Sequence, residues 1–458
     1  MTLPDSLYRE LEKITGSAGI TTDPEELVCY SFDATARSFL PDIVVFPSST
    51  LQVSKILELA TRHSVCVTPR GSGSGMTGGT LPVKGGIVMV MTRMNRIVEI
   101  DTENLVARVE PGVVTGDLHR AAEKQGLFYP PDPASSAFCT IGGNIGECAG
   151  GPRAVKYGVT RDYVLGLEAV LPSGQIIKTG VSTAKGVAGY DLTRLIVGSE
   201  GTLAVVTGII LRLVPLPEAV KTMSAVFNSM KTAAETVSGI IRESVVPRCI
   251  EFVDRASIDC VREDIDLDLS SDVRAILIIE VDGTAQTVAA DTVKLERYCL
   301  DKGASTVVIA QTPAEAKELW KARKALSPAL FKIASGKLNE DIVVPISRIP
   351  EMVARIESIQ ERSGLTIVSF GHAGDGNIHC NIMYDKRDKD QLQRAEAAVD
   401  ELFDATLALG GTITGEHGVG ITKQKYLSRE IGDTELAVMK GIKKVFDPGN
   451  LLNPGKIF

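Results

Sequence analysis

The stretch Pro69-Arg70-Gly71-Ser72-Gly73-Ser74-Gly75-Met76-Thr77-Gly78-Gly79 decides how the rest of the chain is read. It follows the β-branched run Val65-Cys66-Val67-Thr68, which predicts a strand feeding a loop. Five glycines in eleven residues remove the Cβ atoms that keep a ligand off the backbone. Successive N–H groups can then converge on an anion, above all a pyrophosphate. Taken alone, the stretch also reads as a flexible surface loop. A Rossmann fingerprint is excluded, because Leu81-Pro82 and the apolar run Ile87 to Met91 follow in place of a long helix. So is a P-loop, since no Gly-Lys-Ser/Thr closes the stretch.

Around this loop the chain is too long for one core: 458 residues predict two or three domains. A composition of 44% hydrophobic and 23% charged residues is that of an ordinary globular protein. The net charge of -8 offers no basic stripe to nucleic acid or anionic lipid. The start Met1-Thr2-Leu3-Pro4-Asp5 lacks the pattern of a signal peptide, and runs such as Val205 to Val214 are too short to span a bilayer. A cytoplasmic location is expected. The eight cysteines form no CxxC, so neither a cubane cluster nor a zinc knuckle is spelled out.

In chain order, residues 3–16 predict a helix with Leu7, Leu11 and Ile14 on one face. Asp42 to Pro47 predicts a strand, followed by a helix capped by Ser48 or Ser49 that ends near His63. Strands over 87–92, 96–101 and 105–110 and a helix over 116–125 follow. A second glycine-dense segment comes next, Tyr129-Pro130-Pro131-Asp132-Pro133 and then Thr140-Ile141-Gly142-Gly143-Asn144-Ile145-Gly146. There prolines stiffen the approach and glycines let backbone touch a large flat ligand. A hairpin over 163–178 and the turn Gly198-Ser199-Glu200-Gly201-Thr202 precede a strand over 203–213. Two glycine segments and this turn can embrace one extended cofactor. At Pro215-Leu216-Pro217 the texture changes to strands alternating with long helices, a separate α+β domain.

Only five histidines occur, and three lie between Gly371 and Gly418. In Gly371-His372-Ala373-Gly374-Asp375-Gly376-Asn377-Ile378-His379-Cys380-Asn381, one strand enters a glycine turn and another leaves it, setting His372 beside His379. With Glu416 from Gly415-Glu416-His417-Gly418 they form an N₂O set for Zn, Mn or Fe with open positions. His417 points differently from its neighbour and can act as a base. Buried core histidines are the competing reading. Asp375 reads as a turn residue.

These motifs together resemble the vanillyl-alcohol oxidase (PCMH) type flavoproteins. More narrowly, they resemble the group of D-lactate dehydrogenases, D-2-hydroxyglutarate dehydrogenases and the flavoprotein of glycolate oxidase. PRGSGSGMTGG, the PPDP and GGN segment, GSEGTL, GHAGDGNIHCN, GEHGVG and DPGNLLNPGKIF occur in family order over nearly the full length. The resemblance implies an α+β architecture: an FAD-binding domain over 1–215, a substrate or cap domain with a metal site over 216–419, and a segment over 420–458 that returns to the FAD domain. It implies an FAD cradle of Pro69, Arg70, Gly71, Ser72, Gly73, Ser74, Gly75, Thr77 and Gly78, with the pyrophosphate on the Arg70 to Gly75 backbone. The cradle continues with Pro131, Asp132, Thr140, Ile141, Gly142, Gly143, Asn144, Gly146, Glu200, Gly201 and, from the tail, Asn453. The first loop lacks the histidine that members with covalent flavin carry, so FAD is expected to be non-covalent.

By the same resemblance His372, His379 and Glu416 hold a divalent metal and His417 is the catalytic base. Arg323 clamps the substrate carboxylate, with Ser327 beside it, and Asn381 orients the substrate. Members that take a second, distal carboxylate place a lysine just before the strand that begins Asp341-Ile342-Val343; here Asn339 stands in that register, with Lys337 and Glu340 nearby. The expected reaction is therefore FAD-dependent oxidation of D-lactate or glycolate to the 2-oxo acid. D-2-hydroxyglutarate oxidation, a non-redox transferase of the alkylglycerone-phosphate synthase type, or a non-catalytic flavin-binding component of a larger complex are the alternatives. An iron–sulfur subunit or an electron-transferring flavoprotein is the expected electron acceptor. Membrane association is expected only through such a partner, and a homodimer is compatible with the sequence.

Overall fold

The computed structural model describes residues 4–35, 37–183, 185–262 and 270–458. Leu3, where the first helix was expected to begin, lies outside them. The described chain divides into two compact units. One consists of residues 1–150, 159–216 and 416–458, the other of residues 151–158 and 217–415.

Among its described residues the first unit carries two main sheets and a two-stranded antiparallel pairing of Leu127–Phe128 with Val214–Pro215. In the smaller main sheet, Ile20–Thr21, Ile43–Val45, Ile87–Val90 and Val67–Arg70 lie in that order, the last three mutually parallel. Helix Thr50–His63 covers it because Val53, Ile56, Leu57 and Ala60 recur at helical spacing on one buried face. The Ser49 hydroxyl accepts from Gln52 N–H and starts this helix. The larger sheet is antiparallel, in the order Ile97–Asp101, Val106–Val109, Val205–Arg212, Val164–Val170, Ile176–Gly180. The C-terminal tail is bound into this unit: Val67 N–H donates to Leu451 and Asn453 N–H to Val67.

The second glycine segment, to which the sequence assigned no regular element, contains a helix over Ile141–Glu147. Three glycines give it little helix propensity. The Thr140 hydroxyl accepting from Gly143 N–H caps it, and the fully buried Ile141 and Ile145 anchor it. Tertiary packing overrides propensity here.

In the second unit, one seven-stranded antiparallel sheet runs Thr306–Ile309, Ala219–Phe227, Ala275–Gly283, Cys249–Asp254, Ile367–His372, Asn377–Tyr384, Gly336–Val343. Helices Met230–Ile240, Ala285–Asp301, Pro313–Ala329, Ile349–Ser363 and Lys389–Ala408 accompany it. One difference from the expected pattern matters for the site. The edge strand begins at Gly336, ahead of the expected Asp341, so Asn339 sits within the ladder opposite Asn381. A short helix over Arg255–Val261 follows Asp254, whose carboxylate caps it through Ser257 N–H at 2.7 Å.

Candidate functional site

The glycine loop, the capped helix and the 199–201 turn meet around a cleft of about 640 Å³, open to solvent, inside the first unit. Pro69, Arg70 and Gly71 line it from the loop. Thr140, Gly142, Gly143 and Gly146 line it from the helix, and Glu200 and Gly201 from the turn. A neighbouring lobe runs along Gly71 to Met76 and reaches Asn144, Glu147, Glu416 and His417. A Cβ built on Gly146 would meet no atom within 4 Å, so that glycine keeps part of the cleft open.

Not every predicted contact faces the cleft. Thr77, Gly78, Pro131, Asp132, Ile141 and Asn453 are not among its lining residues. Thr77 instead donates its hydroxyl to the His417 carbonyl at 3.0 Å, and its own carbonyl accepts from Ile421. The Asn453 amide donates to Gly79 O at 2.8 Å and to Glu200 O at 2.7 Å, so it braces two cleft walls from behind. The Arg70 guanidinium donates to the Phe32 carbonyl and the Thr80 hydroxyl. Glu200 directs its carboxylate at Val419 N–H (2.7 Å) and Gly420 N–H (2.8 Å). Burial pushes the Glu200 carboxyl above its ordinary range. These contacts tie the loop after His417 to the turn that lines the cleft. Glu147, which reading by motif passed over, lines both lobes.

In the second unit, strand register gathers the polar residues on one face. Glu251 pairs with His372, Phe370 with His379, Asp341 with His379, and Asn339 with Asn381. Residues two apart share a face, so Glu251, His372, His379, Asn381, Asn339 and Lys337 all lie on the same side of the sheet. The turn between the histidine strands needs Gly376, whose φ is 88° and whose added Cβ would strike the Val344 carbonyl. The Asp375 carboxylate accepts from Asn377 N–H there. The His372 and His379 rings are 5.2 Å apart, edge to face, and both side chains are buried.

Arg323 descends from helix Pro313–Ala329 onto this face. Its Nε donates to Glu251 Oε2 at 2.6 Å, and its guanidinium lies 4.7 Å from the Phe370 ring centre. The other oxygen of Glu251 is 2.5 Å from His372 Nδ1. Burial pushes the Glu251 carboxyl up, but His372 and Arg323 outweigh it and hold the group below the usual carboxylate range. Ser327, one helical turn on, is exposed and accepts from Lys337 Nζ at 3.1 Å. Asn381 is fully buried, with its oxygen taking the Asn339 amide at 2.6 Å and its Nδ2 donating to Val368 O. Glu251 carried no motif in the sequence; only the pairing of strands reveals it. Glu416 and His417 belong to the first unit.

A glycine-lined cleft on the first unit and an antiparallel unit bearing paired histidines fit an FAD-dependent oxidoreductase of the PCMH type, and the relatives of the chain are of that class. Residues 216–457 match the family of FAD linked oxidases, C-terminal domain, and residues 41–180 match the FAD binding domain. The glycolate oxidase subunit GlcD of Bacillus subtilis is 46% identical over 450 residues, 98% of this chain and 96% of that protein. The D-lactate dehydrogenase of Anaerostipes hadrus is 35% identical over 426 residues, 91% of this chain and 89% of that one. A solved structure of p-cresol methylhydroxylase with substrate bound has a TM-score of 0.82 at 18% identity, covering 99% of this chain and 96% of that one, a likeness of fold. The chain belongs to the FAD-linked oxidase family, within its group of D-2-hydroxyacid dehydrogenases.

Proposed function

We propose that this chain oxidises D-lactate or glycolate to the corresponding 2-oxo acid, with FAD held non-covalently in the glycine-lined cleft. The observation that carries the reading is His417 on the wall of that cleft, in a chain of this family. Bound FAD supplies the hydride acceptor. The residues of the chain bind the acid, orient it and take the hydroxyl proton. His417 is the proposed base, because a neutral imidazole can accept a proton near pH 7. Arg323, with Nε fixed by Glu251, presents its two Nη groups as a charged fork suited to one carboxylate. Asn339 and Asn381 pair with each other and bring no charge for a second carboxylate. Lys337, the nearby cation, is engaged by the Ser327 hydroxyl and lies 5.4 Å from the Phe331 ring centre. A monocarboxylate suits this face better than 2-hydroxyglutarate.

We also propose that His372, His379 and Glu416 hold a Zn, Mn or Fe ion. Two adjacent buried imidazoles fit such an ion, and Glu251 on Nδ1 of His372 directs Nε2 outward. Chain connectivity supports Glu416 as the third ligand. Gly415 N–H bonds Asp341, the register partner of His379, and Glu416 is the next residue. A divalent ion there lowers the pKa of a hydroxyl it binds.

Reoxidation calls for a partner, an iron–sulfur subunit or an electron-transferring flavoprotein. The cysteines among the described residues are all free and no CxxC occurs. No described helix is long and apolar enough to cross a membrane. The reading is tested by mixing the FAD-loaded protein with hydroxy acids in the absence of oxygen. Bleaching of the flavin by D-lactate or glycolate supports it. A flavin that stays oxidised with every hydroxy acid would remove it in favour of non-redox chemistry.

A further inference from the structure

Glu251 touches two residues with different proposed roles, His372 and Arg323. It stands directly opposite His372 in the sheet, with its side chain 1% exposed. One oxygen lies 2.5 Å from His372 Nδ1, the other 2.6 Å from Arg323 Nε. An ionised carboxylate only accepts hydrogen bonds. His372 then carries hydrogen on Nδ1, and the neutral form of the ring has its lone pair on Nε2, where a metal ion can bind. The same carboxylate fixes the roll of the Arg323 guanidinium, whose other face lies against Phe370. Neither contact can be reoriented without disturbing the other.

We infer that Glu251 is a positioning residue that sets the metal-binding tautomer of His372 and the carboxylate-facing edge of Arg323 together, linking metal affinity to substrate binding. The inference rests on the metal and arginine assignments proposed above. A glutamine at 251 has one acceptor and one donor group, so it satisfies either Arg323 or His372 but confronts the other with an N–H. Where it faces His372, the ring is driven to the Nε2–H tautomer, which cannot ligate. An aspartate keeps the charge but is one methylene shorter, and reaches one partner well.

The test compares the full-length FAD-loaded wild type with E251Q and E251D. Zn²⁺ and Mn²⁺ affinities are measured by chelator competition, and kcat and KM are measured separately. Outer-shell partners of metal ligands typically contribute 10–100-fold in affinity. The expected result is metal binding weakened by about that factor in E251Q, with a raised KM for the hydroxy acid and partial recovery of one of the two in E251D. A merely structural ion pair would lower the melting temperature and leave metal affinity and KM unchanged; that result overturns the inference. If E251Q does not fold, E251D decides by the same two readouts. A wild type that binds neither ion removes the metal reading and this inference with it. Tight wild-type binding that E251Q matches overturns the inference alone.

Discussion

Gly146 offers a perturbation whose two effects have opposite signs. It lies in the last turn of helix Ile141–Glu147 and lines the cleft, and a Cβ there meets no protein atom within 4 Å. Replacing glycine by alanine in a helix is worth about 0.5–1 kcal/mol, through the backbone freedom lost from the unfolded chain. For a unit of this size each kcal/mol moves the melting temperature by about 2–4 °C, so flavin-free Gly146→Ala should melt about 1–4 °C higher than wild type. The same methyl projects into the space assigned to FAD. Overpacking a close contact by one such group costs about 1–3 kcal/mol, which weakens FAD binding about 5- to 150-fold. Differential scanning fluorimetry of the stripped protein gives the first quantity, and titration of flavin fluorescence gives the second. A variant that binds FAD as tightly as wild type would show that the cofactor does not lie against this helix. A variant less stable without flavin would show that the helix itself is misjudged.

Two further perturbations separate the supports of the cleft from those of the second unit. Asn453→Ala leaves the buried Gly79 and Glu200 carbonyls without their 2.8 and 2.7 Å donors. This should cost about 2–4 kcal/mol, lower the melting temperature by several degrees and speed FAD loss; unchanged melting would refute the bracing role. In the second unit, burial raises the Asp254 carboxyl from 3.8 to about 6, even though Ser257 and Ser369 N–H groups donate to it. A carboxyl raised on folding binds its proton more tightly in the folded state, so its stabilising share is complete below about pH 4 and lost as pH rises through about 6. That share is of the order of 3 kcal/mol. Relative to Asp254→Asn, wild type should lose stability from pH 4 to pH 7 in urea titrations. A difference that stays constant with pH would remove the assignment.

What could be read from the sequence was whatever local chemistry spells out. The glycine loop, the histidine hairpin and the helix after Ser49 follow from spacing and from residue conformational preference, and they stand close to where those rules put them. The helix at Ile141 was hidden because three glycines argue against it locally, while its support, the Thr140 cap and buried isoleucines, depends on the tertiary fold. Residues 151–158 pack with the second unit, which no periodicity announces. Asn339 fell outside its strand because Lys337, Asn339 and Glu340 look too polar for a ladder. Glu251 was invisible for a related reason: in sequence it is one acidic residue in an apolar strand, and its meaning comes from a register partner 121 positions away. Asn453 and Glu200 were legible as site residues, yet the Asn453 amide holds the Gly79 and Glu200 carbonyls and the Glu200 carboxylate holds the Val419 and Gly420 backbone, a distinction that only three-dimensional contacts draw.

The central claim is hydride removal from a D-2-hydroxy acid, with His417 taking the hydroxyl proton. It is tested most directly by anaerobic stopped-flow absorbance of the FAD- and metal-loaded protein with D-lactate, L-lactate, glycolate and D-2-hydroxyglutarate, alongside His417→Ala. The account predicts rapid flavin bleaching by D-lactate or glycolate in wild type. It predicts little with L-lactate or the dicarboxylate, and a loss of about 10²–10⁴-fold in the bleaching rate for the variant. Bleaching by His417→Ala at the wild-type rate, or no bleaching of the wild type by any of the four acids, would contradict it.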